Sequence, residues 1–167
     1  MSATRKVGPA DEAFVLDDYV LYNLNRASAV YNDEMSAALK SYGLDTMRWR
    51  ILMLLADKSP SSVGELARRS VTKTPTLTRM LTRMEAEGLV ARAALEDDRR
   101  FVDVTMTPKA VKTLKAVKAI GQRVFERAFE GASARDIAIV TNVLKRVREN
   151  LQRSPYEALQ EQQKKRA

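Results

Sequence analysis

Apolar positions recur along this chain at two different periods, and the points where the period changes outline its elements. Over 14–40, Val20, Leu24, Ala27, Tyr31, Met35 and Ala38 follow spacings of 3 and 4, which predicts one long helix closed near Gly43. Asp45 or Thr46 can cap a second helix over 47–56. Trp49, Ile51, Leu52, Leu54 and Leu55 make that helix apolar on most sides, so it is expected at the centre of the core. Lys58-Ser59-Pro60-Ser61 reads as a turn. Ser62-Val63-Gly64-Glu65 has capping-box spacing and predicts a short helix ending near Arg69. After a brief connection over 70–73, Thr74-Pro75 predicts the cap and first position of a fourth helix. That helix is expected to run to Glu87, with Gly88 suited to a left-handed C′ position.

The period then shortens to two. Residues 89–93 and 101–106 are strand candidates, with Val102, Val104 and Met106 on one face and Phe101, Asp103 and Thr105 on the other. Glu96 to Arg100 is the expected hairpin tip between them. Thr107-Pro108 starts a long helix to about Glu130, ended by Gly131. Ser133-Ala134-Arg135-Asp136 repeats the capping pattern, and Ile137, Val140, Leu144, Val147 and Leu151 form a stripe near heptad spacing. The fold expected is mainly α with a small β-hairpin wing (α+β). A capped helix, a short turn, a second capped helix and a hairpin make a winged helix-turn-helix core beside further helices. Residues 1–13, with Arg5, Lys6, Gly8 and Pro9, read as a flexible N-terminal arm. Residues 154–167 read as a polar basic tail ending in Lys164-Lys165-Arg166.

Composition narrows the function. The 167 residues are 45% hydrophobic and 30% charged, an ordinary globular balance. The net charge of +8 favours a polyanionic partner, nucleic acid ahead of a membrane surface. There is no cysteine and no histidine. Thiolate nucleophiles, redox-sensing cysteines, imidazole acid/base chemistry and the usual zinc sites are therefore excluded. No phosphate-cradling glycine loop or paired catalytic acids occur, so neither an enzyme, a metal nor a cofactor is expected. The N-terminus lacks the apolar core of a signal peptide, and no apolar run reaches the ~18 residues of a membrane span, so the expected location is cytoplasmic.

The fourth helix carries the candidate chemistry. On a helical wheel Leu77, Leu81 and Met84 group on one side, where they can dock on the core. Pro75, Thr78, Arg79 and Thr82 lie opposite, flanked by Thr76 and Arg83, with Lys73 and Thr74 at the start. Arginine can bond guanine O6 and N7 or clamp a phosphate, and threonine can reach phosphate or set its methyl against thymine. At the hairpin tip Arg99 and Arg100 can enter a narrow minor groove, with Asp98 holding the neighbouring backbone or Arg100 in place. Glu85 and Glu87 read as solvated acids at the end of the helix.

Taken together, 64–107 resembles the winged helix-turn-helix of the multiple-antibiotic-resistance regulator (MarR) family. Carrying the resemblance are Glu65-Leu66-Ala67, Thr76-Leu77-Thr78-Arg79, Met84-Glu85-Ala86-Glu87-Gly88-Leu89-Val90 and Asp98-Arg99-Arg100 with Val104-Thr105-Met106-Thr107. The wing signature of that family, an Asp-x-Arg tip and a strand ending in Leu-Thr, is met by Asp98-x-Arg100 but ends here in Met106-Thr107. Pro75 stands where serine is more usual, so base preference does not carry over. With its flanks the resemblance covers roughly 14–153.

The resemblance implies a homodimer in which 14–44 and 108–153 form a helical dimerisation lobe and 45–107 the DNA-binding lobe. The terminal apolar stripes, which enclose too little core in one chain, point the same way. Symmetry then sets two recognition helices on half-sites of double-stranded DNA about one turn apart. It also implies a repressor released from a pseudo-palindromic operator by a small effector, an aromatic acid or its coenzyme A thioester. Candidate effector residues are Tyr22 and Arg26, one turn apart, and Tyr42, Arg48 and Trp49 around the second helix. Either arginine can pair with a carboxylate; equally, Trp49 can be core and Arg26 an intersubunit ion-pair partner. The alternative is a winged-helix architectural or protein-interaction module without an effector.

Overall fold

The computed structural model describes residues 7–94 and 102–153. Asp98, Arg99 and Arg100 of the expected wing tip, Phe101, the first six residues of the arm and the 154–167 tail lie outside the described residues. The elements run α1 (Val20–Leu39), α2 (Thr46–Asp57), β1 (Ser61–Ser62), α3 (Val63–Ser70), α4 (Thr74–Ala86), β2 (Val90–Ala94), β3 (Val102–Met106), α5 (Pro108–Ala128) and α6 (Ala134–Arg153). The chain divides into two compact units, Met1–Phe125 and Glu126–Ala167.

In the first unit one core gathers side chains from every helix. Met35 and Leu39 of α1 meet Ile51, Leu52 and Leu55 of α2, Leu66 of α3, Leu77, Leu81 and Met84 of α4, Val104 of β3, and Leu114 and Val117 of α5. The central position expected for the second helix follows from Ile51, Leu52 and Leu55, all fully buried on α2, with Asp45 rather than Thr46 as its cap: the Arg48 N–H donates to Asp45 Oδ1 at 2.7 Å. Ser62 caps α3, accepting from the Glu65 N–H at 3.2 Å. Glu65 does not reach back to complete the box. It pairs with Lys58 Nζ at 2.9 and 3.0 Å, which holds its carboxyl below the usual carboxylate range.

Several expectations are corrected. The first helix starts at Val20, not near Phe14. Tyr19 is extended, and Leu16–Asp18 forms a single 3-10 turn. The Asn23 side-chain amide donates to the carbonyls of Asp17 and Tyr19, a competition with the helix ladder that apolar spacing does not register. The fourth helix is capped by Lys73, which has extended backbone and makes no side-chain cap bond, so Thr74 and Pro75 occupy the first turn instead. Proline remains tolerable there because the early N–H groups have no intrahelical acceptor. The wing is a three-stranded antiparallel sheet in the order β1-β3-β2 rather than a bare hairpin. Ser61 pairs with Val104 and Val90 with Met106. A two-residue strand of serines has no pattern of its own; only the proximity of β3 makes it one.

At the end of α4, Gly88 takes φ +69 as expected, and the Leu89 N–H donates to the Met84 carbonyl at 2.8 Å. Thr107 then caps α5. Its Oγ1 accepts from the Ala110 N–H at 3.2 Å and donates to the Gly88 carbonyl at 2.7 Å, which ties the start of α5 to the end of α4.

The second unit is α6 with the last turn of α5. Ser133 and Asp136 form the expected reciprocal cap: Ser133 Oγ accepts from the Asp136 N–H at 3.2 Å, and Asp136 Oδ2 accepts from Ser133 N–H and Oγ at 3.0 and 2.6 Å. Those bonds hold the Asp136 carboxyl low. No residue of α6 is buried, and Val140 and Leu151 of its predicted stripe are exposed.

Candidate nucleic-acid interface

The inner side of α4 is fully buried at Leu77, Leu81 and Met84, as the wheel predicts, and this fixes what its outer side presents. Thr74, Pro75, Thr76, Thr78, Arg79, Thr82 and Arg83 are all exposed, as is Lys73. Two of the threonines have already placed their protons. Thr78 Oγ1 donates to the Thr74 carbonyl at 2.9 Å, and Thr82 Oγ1 to the Thr78 carbonyl at 3.1 Å. What they offer outward is a methyl group and an acceptor oxygen. Arg79 and Arg83 have no hydrogen-bond or ion-pair partner among the described residues, so their guanidinium donors are free for an acceptor from outside. With Asp45, Arg48, Thr76 and Met80 they line a cavity of about 210 Å³ between α2 and α4.

The acids at the end of α4 are not simply solvated. Glu85 Oε2 accepts from Arg92 Nε at 2.9 Å and Nη2 at 2.5 Å, and its Oε1 accepts from the Arg92 N–H at 3.2 Å. This fastens β2 to α4, and Arg92's bonds hold the Glu85 carboxyl below its usual range. Glu87 Oε1 accepts from Arg48 Nη2 at 2.6 Å, and the Glu87 carbonyl accepts from Lys109 Nζ at 2.7 Å. Arg48 Nη1 also donates to Asp45 Oδ2 at 3.0 Å, while its Nε is buried without a partner among the described residues. Sequence reasoning missed both links, because partners 7 and 39 residues apart on different elements leave no helical spacing to find.

The effector candidates fall in separate places. Arg26 lies over the ring of Tyr22, Cζ to centroid 5.3 Å, on α1. Tyr42, in the 3-10 turn Lys40–Tyr42, is 43% exposed. Arg48 already holds two carboxylates. Trp49 packs partly buried on the core, its ring so close to Gly121 that a Cβ there would come within 3.0 Å of Cζ2. None of Tyr22, Arg26, Tyr42 and Trp49 lines the cavity beside Arg48.

The model of the MarR family matches residues 46–102, from the first turn of α2 to the first residue of β3. The chain is 29% identical over 144 residues to the HTH-type transcriptional repressor IacR of Pseudomonas putida, covering 86% of each. It is 32% identical over 114 residues to an HTH-type transcriptional repressor of Mycobacterium bovis, covering 68% of this chain and 78% of that one. Over 69 residues it is 36% identical to the homoprotocatechuate degradative operon repressor of Escherichia coli, 41% of this chain and 47% of the relative. Among solved structures, a MarR-family regulator from Silicibacter pomeroyi superposes with TM-score 0.74 at 26% identity, covering 82% of this chain and 92% of that one. Bordetella bronchiseptica BpsR, whose DNA binding is described as regulated by 6-hydroxynicotinic acid, shares the fold with TM-score 0.72 at 19% identity, covering 80% and 96%.

Proposed function

The chain belongs to the MarR family of winged-helix transcriptional regulators, and from that premise we propose that it is a homodimeric repressor whose hold on a pseudo-palindromic operator is released by an aromatic acid or its coenzyme A thioester. The observation that carries this reading is α4, which buries Leu77, Leu81 and Met84 and turns Thr76, Thr78, Arg79, Thr82 and Arg83 outward. In that geometry α4 reads the major groove, Arg79 and Arg83 supplying donors and the threonines methyl groups. Asp98, Arg99 and Arg100 reach the flanking minor groove from the wing.

Dimerisation is supported by apolar side chains that one chain leaves in water. Val20, Val30 and Tyr31 of α1 and Ile139, Val140 and Leu151 of α6 are 44–66% exposed. A second copy covering these faces would make 14–44 and 108–153 the dimerisation lobe and 45–107 the DNA lobe. The effector class is supported by the relatives, one named for a homoprotocatechuate operon and one regulated by a hydroxylated aromatic acid. Tyr22 and Arg26 offer a ring and a cation side by side for such a ligand, with Tyr42, Arg48 and Trp49 as further candidates. The ligand acts only if it prefers the dimer geometry that does not fit DNA. No helix among the described residues is long and apolar enough to cross a membrane, which accords with action on DNA in the cytoplasm.

Selection of duplexes from a random library, followed by fluorescence anisotropy on the enriched sequence, tests the proposal. A two-fold symmetric duplex bound at about 10 nM or tighter and released by a member of a panel of aromatic acids and their thioesters is the expected result. Affinity that depends on salt but not on sequence would make the protein an architectural module instead.

A further inference from the structure

Arg79, Arg83 and Glu87 stand at intervals of four, so they follow one another along a single face of α4. Glu87 keeps helical backbone at the cap, φ -78 and ψ -5, and its N–H donates to the Arg83 carbonyl at 2.9 Å. By helical spacing alone its carboxylate should pair with Arg83. It does not. Glu87 Oε1 accepts instead from Arg48 Nη2 of α2 at 2.6 Å, and Arg83 has no partner among the described residues. Asp45 is diverted in the same way. It lines the cavity of about 210 Å³ together with Arg79 and Arg83, yet both of its oxygens are engaged by Arg48, Oδ1 by the N–H at 2.7 Å and Oδ2 by Nη1 at 3.0 Å. Stability does not account for this arrangement. Arg48 Nε is buried with no partner among the described residues, a cost that an apolar side chain would avoid. The side chains of Asp45 and Glu87 remain 49% and 41% exposed, and ion pairs this wet return little.

We infer that Arg48 is a sequestering cation: it holds Asp45 and Glu87 so that Arg79 and Arg83 stay unpaired for DNA. A guanidinium that must leave an ion pair before it meets a base or phosphate loses part of that contact, and an unbalanced carboxylate beside it repels the phosphates. Arg48 touches no DNA in this scheme. It is a positioning residue that acts through Arg79 and Arg83. The inference rests on the reading of α4 proposed above and adds to it a residue of α2 that sets how many free donors α4 carries.

The test uses the full chain and the selected duplex, with anisotropy titrations and a melting curve for each variant. Arg48→Met keeps the length of the stem and removes the charge. It is expected to weaken binding about tenfold while the melting temperature stays nearly unchanged. Glu87→Gln keeps an acceptor for Arg48 and is expected to bind as the wild type does. The decisive variant carries both substitutions. With the freed acid gone, and Asp45 still tied to the backbone N–H of residue 48, affinity is expected to return to within about threefold of wild type. Arg48→Met with Glu130→Gln restores the same net charge but leaves Glu87 ionised, and is expected to stay about tenfold weak. If Glu87→Gln weakens binding as Arg48→Met does, or if the Arg48→Met, Glu87→Gln chain stays weak, the pair only orients α4 and the sequestering role falls. It falls equally if Glu130→Gln rescues binding as well as Glu87→Gln does, because net charge alone then explains the loss. Unchanged affinity in Arg48→Met, beside a loss in Arg83→Ala, overturns it too. In each of these cases the regulator reading stands. Should the wild-type chain enrich no duplex, both readings fall together.

Discussion

Thr78 shows how much of a contact is decided before any DNA arrives. Its hydroxyl proton is committed to the Thr74 carbonyl, so what it can present to a base edge is chiefly its methyl. If that methyl packs against thymine, Thr78→Val keeps the preference for a T·A pair, whereas Thr78→Ser loses about 0.8 kcal/mol, roughly fourfold, at that one position. Affinities for duplexes varied base by base provide the check, and a loss on every duplex for Thr78→Val with none for Thr78→Ser would mean that the hydroxyl gives up the Thr74 carbonyl and donates to phosphate instead. Glu85 carries a different signal. Arg92's hydrogen bonds favour its ionised form, so its folded pKa lies below the ordinary 4.5 to which it returns on unfolding. The stabilisation it gives is complete above pH 4.5, shrinks as pH falls through the lowered value and is absent below it. Melting temperature plotted against pH should therefore decline on the acid side, and Glu85→Gln should flatten part of that decline.

At the scale of elements, α4 is held in two different ways. Its inner face is ordinary core, and Leu81→Ala is expected to cost about 2–5 kcal/mol of global stability in urea unfolding. Its far end is held by polar links: Glu85 to β2, Glu87 to Arg48 of α2 and to Lys109 of α5, and Gly88 to Thr107. Ion pairs that keep this much contact with water add little to global stability but set orientation. Arg92→Ala should leave the melting temperature nearly unchanged while amide exchange through Val90–Ala94 accelerates severalfold and DNA affinity falls. Unaltered exchange in β2 would mean that the strand pairing with β3 alone fixes the wing.

At the scale of the whole molecule, α1 and α6 each leave apolar side chains exposed in the single chain. Val30, 63% exposed on α1, is the sharpest probe. Val30→Glu is expected to shift sedimentation from dimer to monomer and to weaken operator binding at least about a hundredfold, because the two half-sites no longer bind as one linked unit. A monomeric wild-type chain with unchanged affinity in the variant would remove the dimer from the proposal.

Much of this organisation could be read from the chain alone. The capping residues Ser62 and Ser133, the left-handed glycines Gly43, Gly88 and Gly131, the inward set Leu77, Leu81 and Met84, and the antiparallel wing strands all have local causes. A cap, a positive φ or an apolar stripe involves only residues within a turn or two of one another, so the sequence by itself determined them, and with them the family. What only the tertiary structure decided depends on distant residues meeting. Ser61–Ser62 became a strand because β3 ran beside it, and Glu85 and Glu87 became clamps because Arg92 and Arg48 came within reach. Periodicity records which side of an element faces inward. It holds no information on which partner, many residues away, the polar side will find.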